Sequence, residues 1–340
     1  MRLLVLGGTG FAGRAVVDLA LRRGDDVTVL NRGHHAAPPG TTTLTGDRTT
    51  PGGLAALAGH DWDAVVDTWS AAPRAVRDAA RALSGHAGHY TYISSRSVYA
   101  DPPSGTTTPP LTEDFALVDA DPDAGATTYP ADKRGGELAT AGFDGPVLLA
   151  RAGLILGPHE DVGRLPWWLL RLARGGPTLA PGPAGLPLQY IDARDLAQFC
   201  LDAAGGCLDG PYNVVSPPGH TTMGELLTTA NAVTGGHADL RWTDPEPILA
   251  AGVQPWTDLP IWIPPGPDHD YMHRGDVTKA LDAGLRPRPV AATVADTWAW
   301  LRDIGGTPPQ RPDRPPVGLA PQVEATVLAR AGQSTRRHPA

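Results

Sequence analysis

The sequence predicts an α/β fold in which a doubly wound parallel sheet is interleaved with a smaller, loop-rich C-terminal lobe. Three observations support this prediction. Short apolar runs alternate with longer helix-like segments over the first half of the chain, as in sheets built from strand–helix–strand units. A glycine-rich turn joins the first apolar run to the first helix-like segment. Beyond residue 151, joints rich in proline and glycine interrupt the pattern.

Five short apolar runs are predicted strands. They lie at 3–6, 27–30, 64–67, 89–94 and 146–151. Three segments between them carry apolar and alanine residues at helical spacing, so they are predicted helices that cover the sheet. These helices span 13–23, 72–83 and 130–141.

The predicted domain boundaries follow the change in sequence composition near residue 151. Residues 1–150 form the sheet domain, and residues 151–304 form the loop-rich lobe. A strand and a helix within 188–204 return the chain to the sheet, which makes the two parts interleaved. Residues 305–340 form a Pro-rich tail with one short helix at 321–331.

The composition excludes several classes of partner and location. A formal net charge of −8 offers no positive surface for nucleic acid, so we expect a small-molecule substrate. No apolar run reaches the roughly eighteen residues of a membrane span, and the N-terminal run is too short for a signal peptide. Two cysteines without zinc-type spacing fit a reducing compartment. We therefore expect a cytoplasmic protein that contacts neither nucleic acid nor membrane.

The glycine-rich turn predicts a phosphate-binding site. Gly7, Gly10 and Gly13, with Thr9 and Phe11 between them, follow the first predicted strand and lead into the first predicted helix. Such glycines allow a tight turn and a close approach of the backbone to a pyrophosphate, whose charge is met by N–H groups at the helix N-terminus. The strand before the turn and the helix after it make the signal specific. Residues 1–150 are therefore predicted to form a dinucleotide-binding Rossmann domain.

The end of the second predicted strand indicates which dinucleotide is bound. An NAD-binding chain usually presents Asp or Glu there, which hydrogen-bonds the ribose hydroxyls. This chain has Asn31 and Arg32 instead. A guanidinium group can form a bidentate contact with a 2′-phosphate. We therefore predict NADP(H) as the cofactor, with NAD as the alternative.

Ser95, Tyr129 and Lys133 form a candidate catalytic set. Ser95 follows the fourth predicted strand, at the sheet edge where doubly wound folds bind ligands. Tyr129 and Lys133 are four residues apart, so one helical turn places both on one face. Carbonyl reduction needs a proton donor, and an ammonium group beside a tyrosine favours its phenolate form and brings it closer to acid–base work at neutral pH. Ser95 would hold the carbonyl oxygen, and Lys133 would also reach the nicotinamide ribose.

These residues resemble the short-chain dehydrogenase/reductase superfamily, in particular its extended and atypical branches of the NAD-dependent epimerase/dehydratase type. The resemblance covers about residues 1–300, through segments 7–13, 95–99, 129–137, 151–158 and 189–197. It implies that Ser95, Tyr129 and Lys133 are catalytic. It also implies that Asp47, Asp67 and Thr68 line the adenine and the second half of the cofactor.

Two departures from the superfamily's sequence pattern reduce the range of expected reactions and substrates. Its dehydratases carry an Asp–Glu pair directly after the catalytic hydroxyl, whereas Arg96 and Ser97 follow here, so sugar dehydration is disfavoured. Its nucleotide-sugar epimerases usually present an arginine two places before the aromatic residue of a late strand, where it grips a diphosphate. This chain has Leu188 at that position. Uridine-diphosphate sugars are therefore disfavoured as substrates.

One histidine cluster has a spacing found in metal sites. His269 and His273 are four residues apart beside Asp268, a spacing that can bind a metal on a helix. Prolines at 264, 265 and 267 predict a loop with exposed histidines instead. We therefore predict no metal.

The leading hypothesis from sequence is an NADPH-dependent reductase of a small-molecule carbonyl. The alternative is an NAD-dependent epimerase that oxidises and re-reduces a sugar-like substrate while retaining its cofactor. A third hypothesis, from another class, is a non-catalytic cofactor- or RNA-binding protein. The sequence leaves the substrate, the reaction direction and the oligomeric state open, with a homodimer as one option.

Overall fold

The computed structural model describes residues 1–101 and 109–337, which divide into two compact units. Unit 1 contains described residues from 1–155, 190–216 and 275–287, and unit 2 contains the remainder. The returning segment is longer than the predicted 188–204. The third segment of unit 1 was not predicted; it belongs there because Ala280 and Leu285 are buried in the core of this unit.

The strands of the described residues are numbered in chain order. They are Arg2–Leu6 (β1), Asp26–Asn31 (β2), Thr42–Thr45 (β3), Ala64–Asp67 (β4), Tyr90–Ser95 (β5), Val147–Ala152 (β6), Leu154–Leu156 (β7), Gly176–Pro181 (β8), Pro187–Leu188 (β9), Tyr190–Asp192 (β10), Gly210–Val214 (β11), Thr221–Thr222 (β12) and Ala238–Thr243 (β13).

The α-helices are numbered in the same way. They are Phe11–Arg22 (α1), Pro73–Leu83 (α2), Tyr129–Ala139 (α3), Arg164–Ala173 (α4), Ala193–Gly206 (α5), Met223–Val233 (α6), Pro245–Ala250 (α7), Pro267–His273 (α8), Thr278–Asp282 (α9), Val290–Asp303 (α10) and Pro321–Arg337 (α11). Short 3-10 turns occur at Ala55–Leu57, Arg96–Val98 and Thr140–Gly142.

Unit 1 is built on a seven-stranded sheet with the order β11-β6-β5-β4-β1-β2-β3. All neighbouring strands are parallel. From β1 the chain adds β2 and β3 on one side, and it then returns to add β4 on the other. The strand order therefore reverses between β1 and β4, and the crevice at their carboxyl ends is where doubly wound sheets bind ligands.

The apolar pattern of β1 explains how both faces of this sheet are covered. Leu3 and Val5 point to the face that packs against α1 and α5, whereas Leu4 and Leu6 point to the face that packs against α2. All four side chains are buried. A strand with both faces buried carries a continuous apolar run, which is why this strand is readable from sequence.

The predicted fold class is confirmed. All five predicted strands are present with their ends shifted by at most one residue, and the three predicted helices by at most two. The strand predicted within 188–204 needs correction, because β9 and β10 divide that stretch and neither joins the seven-stranded sheet. The chain instead passes through β10 and α5 before β11 pairs in parallel with β6, because a parallel strand requires a crossover connection.

Unit 2 contains the helices α4, α6 and α10, which pack on one another, and a parallel pair formed by β8 and β13. The C-terminal helix α11 packs against β8, where Glu324 accepts hydrogen bonds from Arg171 and from the backbone of Leu179. This helix continues to residue 337, beyond the predicted end at 331. The last three residues of the predicted tail lie outside the described residues.

The loop predicted around His269 and His273 is wrong, since both lie in helix α8 and are buried. Pro267 occupies the first turn of this helix, where its missing N–H costs nothing. His269 Nε2 lies 2.9 Å from the oxygen of Pro187, and the Gln189 N–H donates to His273 Nδ1. Within 1–101 and 109–337, no group of three or more His, Cys, Asp or Glu side chains could hold a metal ion, and no helix could cross a membrane.

Candidate active site

A cavity of about 170 Å³ opens at the carboxyl ends of β1, β2 and β4 in unit 1, beside the point where the strand order reverses. Six of the predicted cofactor-binding residues line it: Gly7 and Thr9 after β1, Asn31 and Arg32 at the end of β2, Asp47 after β3 and Thr68 after β4. The rest of the lining comes from Leu6, Leu30, His34, His35, Gly46, Arg48, Trp69 and Ser70.

The glycine-rich turn has no room for a side chain at positions 7 and 13. Gly7 has a φ of +120°, and a Cβ there would lie 2.2 Å from Thr68 Oγ1. A Cβ on Gly13 would lie 2.7 Å from the backbone nitrogen of Gly8. Thr68 stabilises the turn because its hydroxyl donates to the carbonyl of Leu6 over 3.0 Å. The turn therefore forms a bare backbone cradle of the kind a pyrophosphate requires.

The first turn of α1 completes this cradle. Gly10 precedes the helix in an extended conformation and supplies no side-chain cap, and the first turn contains no acidic residue. The N–H groups at the start of the helix are therefore not capped by a side chain, and the positive end of the helix dipole favours an anion. Phe11 begins the helix and packs against the core of the unit, which holds the turn to the sheet.

The wall of the cavity at the end of β2 carries hydrogen-bond donors, including the guanidinium of Arg32. The Asn31 Oδ1 atom accepts the Gly33 N–H over 2.7 Å, but Asn31 Nδ2 is buried with no hydrogen-bond partner within the described residues. Arg32, His34 and His35 are exposed at the rim. A buried donor without a partner costs free energy, so a ligand acceptor at this wall would be stabilised. The residues thus fit a dinucleotide.

Asp47 is the acidic residue that lines the cavity from the segment after β3. Its Oδ1 accepts the N–H and the hydroxyl of Thr49 over 3.0 and 2.6 Å. These hydrogen bonds hold the pKa of Asp47 below its usual value. The carboxylate is therefore ionised at neutral pH and can accept hydrogen bonds from a ligand in the cavity.

The sequence predicts that Asp67 lines the cofactor, but the structure places it outside the cavity. It is fully buried and does not line the cavity, because its carboxylate is engaged by Arg48, the Tyr90 hydroxyl and the Trp69 N–H. Arg48, which the sequence analysis missed, lines the cavity instead. A signal was present, because a carboxylate at the end of a buried strand requires a partner.

Lys133 connects α3 to the carboxyl edge of the sheet. Its ammonium group donates to the carbonyl oxygens of Trp69 and Ile93, each over 2.6 Å. Ile93 lies two residues before Ser95 on β5, and Trp69 lines the cavity. Tyr129 begins the same helix one turn earlier and is partly exposed. The structure therefore places Lys133 beside the strand that ends at Ser95, on the helix that Tyr129 begins.

Ser95 ends β5 and begins the 3-10 turn Arg96–Val98. Its Oγ accepts the Ser97 N–H over 3.1 Å and lies 3.2 Å from the Ser97 hydroxyl. The turn packs against α3, which carries Tyr129. This local hydrogen bonding sets the direction of the Ser95 hydroxyl.

A buried network that the sequence analysis did not predict holds α3 against β5 and β6. Glu137, on α3, accepts hydrogen bonds from Ser94 over 2.7 Å and from Arg151 over 2.9 and 3.0 Å. Arg151 also donates to the Tyr99 hydroxyl. Glu137 lies one helical turn beyond Lys133 on α3. The network therefore fixes the position of α3, and with it Tyr129 and Lys133, along the strands of the sheet.

The comparisons with known proteins identify the family of this chain. The sequence matches the model of the NAD dependent epimerase/dehydratase family over residues 3–214. A search of curated proteins found no match.

Several solved structures share the fold. The Bordetella bronchiseptica enzyme WbmH, in complex with NAD+, is 18% identical with a TM-score of 0.67, over 89% of this chain and 99% of that chain. The B. bronchiseptica enzyme WbmG, in complex with NAD and UDP, is 20% identical with a TM-score of 0.66, over 90% and 96%. The Thermus thermophilus UDP-glucose 4-epimerase, in complex with NAD, is 20% identical with a TM-score of 0.61, over 88% and 99%.

Proposed function

Because this chain belongs to the NAD dependent epimerase/dehydratase family, we propose that it is an epimerase that oxidises and then re-reduces one secondary alcohol of a sugar-like substrate. It is an enzyme of the extended short-chain dehydrogenase/reductase type. The anchoring of Lys133 to the carbonyls of Trp69 and Ile93 is the observation that carries the proposal, because it joins the cavity wall, the helix of Tyr129 and the strand of Ser95.

The comparisons favour this alternative over the carbonyl reductase that was the leading hypothesis from sequence. The structures that share the fold include a UDP-glucose 4-epimerase bound to NAD and an enzyme bound to NAD and UDP. Membership in an enzyme family also disfavours the non-catalytic alternative. Leu188 is apolar as well as buried, so this position supplies no charge for a diphosphate. We therefore propose a polyhydroxylated substrate without a nucleoside diphosphate.

The roles of the three residues follow from their chemistry. Tyr129, as phenolate, removes the proton of the substrate hydroxyl while the hydrogen on the same carbon departs as hydride, which leaves a ketone. Ser95 donates a hydrogen bond to the ketone oxygen, and Lys133 stabilises the phenolate. A nicotinamide dinucleotide held by the residues that line the cavity would supply the hydride acceptor and donor. Tyr129 gives its proton back when the hydride returns to the opposite face, so there is no net oxidation.

A second candidate, the NADPH-dependent reductase, is favoured by the rim of the cavity. Asn31, Arg32, His34 and His35 lie at or just after the end of β2, and none of them is acidic. The guanidinium of Arg32 and the amide of Asn31 suit a 2′-phosphate better than free ribose hydroxyls. In that case the hydride would pass once from NADPH to a carbonyl, and Tyr129 would supply the proton that forms the alcohol.

Cofactor retention separates the two candidates. For an epimerase we expect the purified protein to release NAD(H) on denaturation, detected by mass spectrometry, and to convert an alcohol to its epimer without a net change at 340 nm. For a reductase we expect added NADPH to be consumed in proportion to the carbonyl reduced.

The same assays test the catalytic set. Tyr129→Phe should lower the rate by roughly 10²–10⁴-fold under either candidate. Tyr212→Phe, which removes a hydroxyl from β11 of the same unit, is the matched control and should leave the rate unchanged. A Tyr129→Phe enzyme with full activity would refute both candidates.

A further inference from the structure

Tyr92 lies in the middle of β5 and has no role in the proposed chemistry. Its side chain is fully buried among the residues that pack between the sheet and α2. The Lys133 ammonium nitrogen lies 4.8 Å from the centre of the Tyr92 ring. This distance is within the roughly 6 Å over which a cation is attracted to the face of an aromatic ring.

The Tyr92 hydroxyl gives no reason for a tyrosine at this position. It is buried without a hydrogen-bond partner within the described residues, which is unfavourable for a polar group. The aromatic ring, rather than the hydroxyl, makes the contact with Lys133. Phenylalanine would preserve that contact and remove the unsatisfied oxygen.

Helix α3 is shaped to approach this ring closely. A Cβ on Gly136 would lie 2.2 Å from the Tyr92 hydroxyl oxygen, so only glycine fits. Tyr129, Lys133 and Gly136 stand at positions i, i+4 and i+7 of the helix, which share one face. The face that carries the candidate catalytic residues is therefore the face that packs on Tyr92.

We propose that Tyr92 is a positioning residue. Its aromatic ring, with the carbonyls of Trp69 and Ile93, holds the Lys133 ammonium group in a fixed place one helical turn from Tyr129. Two carbonyl oxygens accept hydrogen bonds from the ammonium group, and one ring face contacts it. The proposal rests on the proposed function, because a precisely placed ammonium matters only if Tyr129 works as an acid and base.

The first measurement is independent of activity. The chain contains only two lysines, Lys133 and Lys279, so NMR of lysine labelled at the ε carbon gives two signals, which Lys279→Arg assigns. The Lys133 ε protons should be shifted upfield by the ring current of Tyr92. Tyr92→Phe should retain this shift, and Tyr92→Leu should lose it.

The second measurement is the pH profile of the epimerisation of an alcohol, the conversion that tests the proposed function. We expect Tyr92→Phe to keep the wild-type rate and profile. Tyr92→Leu should lower kcat by about tenfold, the effect of losing a desolvated cation–π contact, with little change in KM. The pH at which Tyr92→Leu reaches half of its maximal rate should be higher than in the wild type, because a less fixed ammonium group stabilises the Tyr129 phenolate less.

Phe143→Leu is the matched control, because it removes a buried ring from the same cluster while leaving Tyr92 and Lys133 in place. It should lower the melting temperature without changing the NMR shift or the pH profile. If Tyr92→Leu does not fold, Tyr92→Met removes the ring while keeping much of the volume.

The outcomes separate the two proposals. A Tyr92→Leu enzyme with the pH profile and Lys133 signal of the Phe143→Leu control would overturn the positioning role. A wild-type protein with the upfield Lys133 signal but no nicotinamide-dependent activity would instead refute the proposed function.

Discussion

Arg48 and Asp67 form a bidentate ion pair inside unit 1, with Nη1–Oδ1 and Nη2–Oδ2 distances of 2.6 and 2.7 Å. Asp67 is fully buried and Arg48 is 9% exposed. Burial acts to raise the pKa of Asp67, but Arg48, the Tyr90 hydroxyl and the Trp69 N–H hold it below its usual value. Arg48 lines the cavity, and Asp67 accepts the N–H of Trp69. The carbonyl of Trp69 in turn accepts a hydrogen bond from Lys133, so the ion pair connects the cavity wall to Lys133.

Removing the charge of Asp67 should therefore destabilise the protein. We expect Asp67→Asn to lower the free energy of unfolding by about 3 kcal/mol, because Arg48 would remain buried without its counter-ion. Urea denaturation measures the change. The exposed pair between Arg2 and Asp63 provides the control, and Asp63→Asn should cost less than about 1 kcal/mol. Equal losses for the two variants would show that the buried pair has no special weight.

Arg32 should decide between the two dinucleotides. If it contacts a 2′-phosphate, Arg32→Ala should raise the KM for NADPH by about tenfold or more, because a charge-assisted hydrogen bond is lost, and should leave the KM for NADH nearly unchanged. Arg22→Ala removes an equally exposed charge outside the cavity and should alter neither constant. The same increase for both cofactors would remove the argument for NADP(H).

Gly13 should tolerate no side chain. In Gly13→Ala the new Cβ would lie 2.7 Å from the Gly8 nitrogen, so the turn must shift and cofactor affinity should fall by at least tenfold, measured by fluorescence titration with NAD(P)H. Gly205→Ala, in α5, has no atom within 4 Å of its Cβ. This control should bind cofactor normally and gain about 0.5–1 kcal/mol of stability. Unchanged affinity in Gly13→Ala would argue against a phosphate at this turn.

Glu160 should make the stability of the protein depend on pH. Its carboxyl is fully buried before α4, and this burial raises its pKa from 4.5 to about 7, although the N–H groups of Arg164 and Leu165 donate to it. Because the folded protein holds this proton more tightly than the unfolded chain, the contribution to stability is complete below pH 4.5 and is lost as the pH rises through 7. The loss amounts to roughly 3 kcal/mol.

Thermal unfolding at pH 5 and pH 8 tests this expectation. The difference in stability between the two pH values should be smaller in Glu160→Gln than in the wild type, since the amide does not titrate. Glu246→Gln, at an exposed position of α7, should keep the wild-type difference. An identical pH dependence in all three proteins would place the titration on another group.

The elements readable from sequence were those with both a strong apolar period and clear ends. Strand β1 and its glycine turn are of this kind, and they were predicted almost to the residue. Strand β3 was missed because its four residues include three threonines, and β11 because it opens with Gly210 and Pro211. Both pair at the edges of the sheet, where neighbouring strands rather than local pattern decide the conformation.

The candidate site divides in the same way. Tyr129 and Lys133 could be paired from sequence because helical geometry over one turn is local. The Arg48–Asp67 pair and the ring of Tyr92 beside Lys133 join residues 19 and 41 positions apart through strand order. Such pairs have no sequence period, and they arise only when packing removes water and each buried charge must find its partner.

The linear sequence by itself determined the strands with continuous apolar runs, the glycine-rich turn and the helical spacing of Tyr129 and Lys133, because these depend on contacts within one strand or one helical turn. The tertiary structure decided which buried groups surround them. Asp67 lies outside the cavity and Arg48 lines its wall, because burial makes an unpaired carboxylate far more costly than an ion pair.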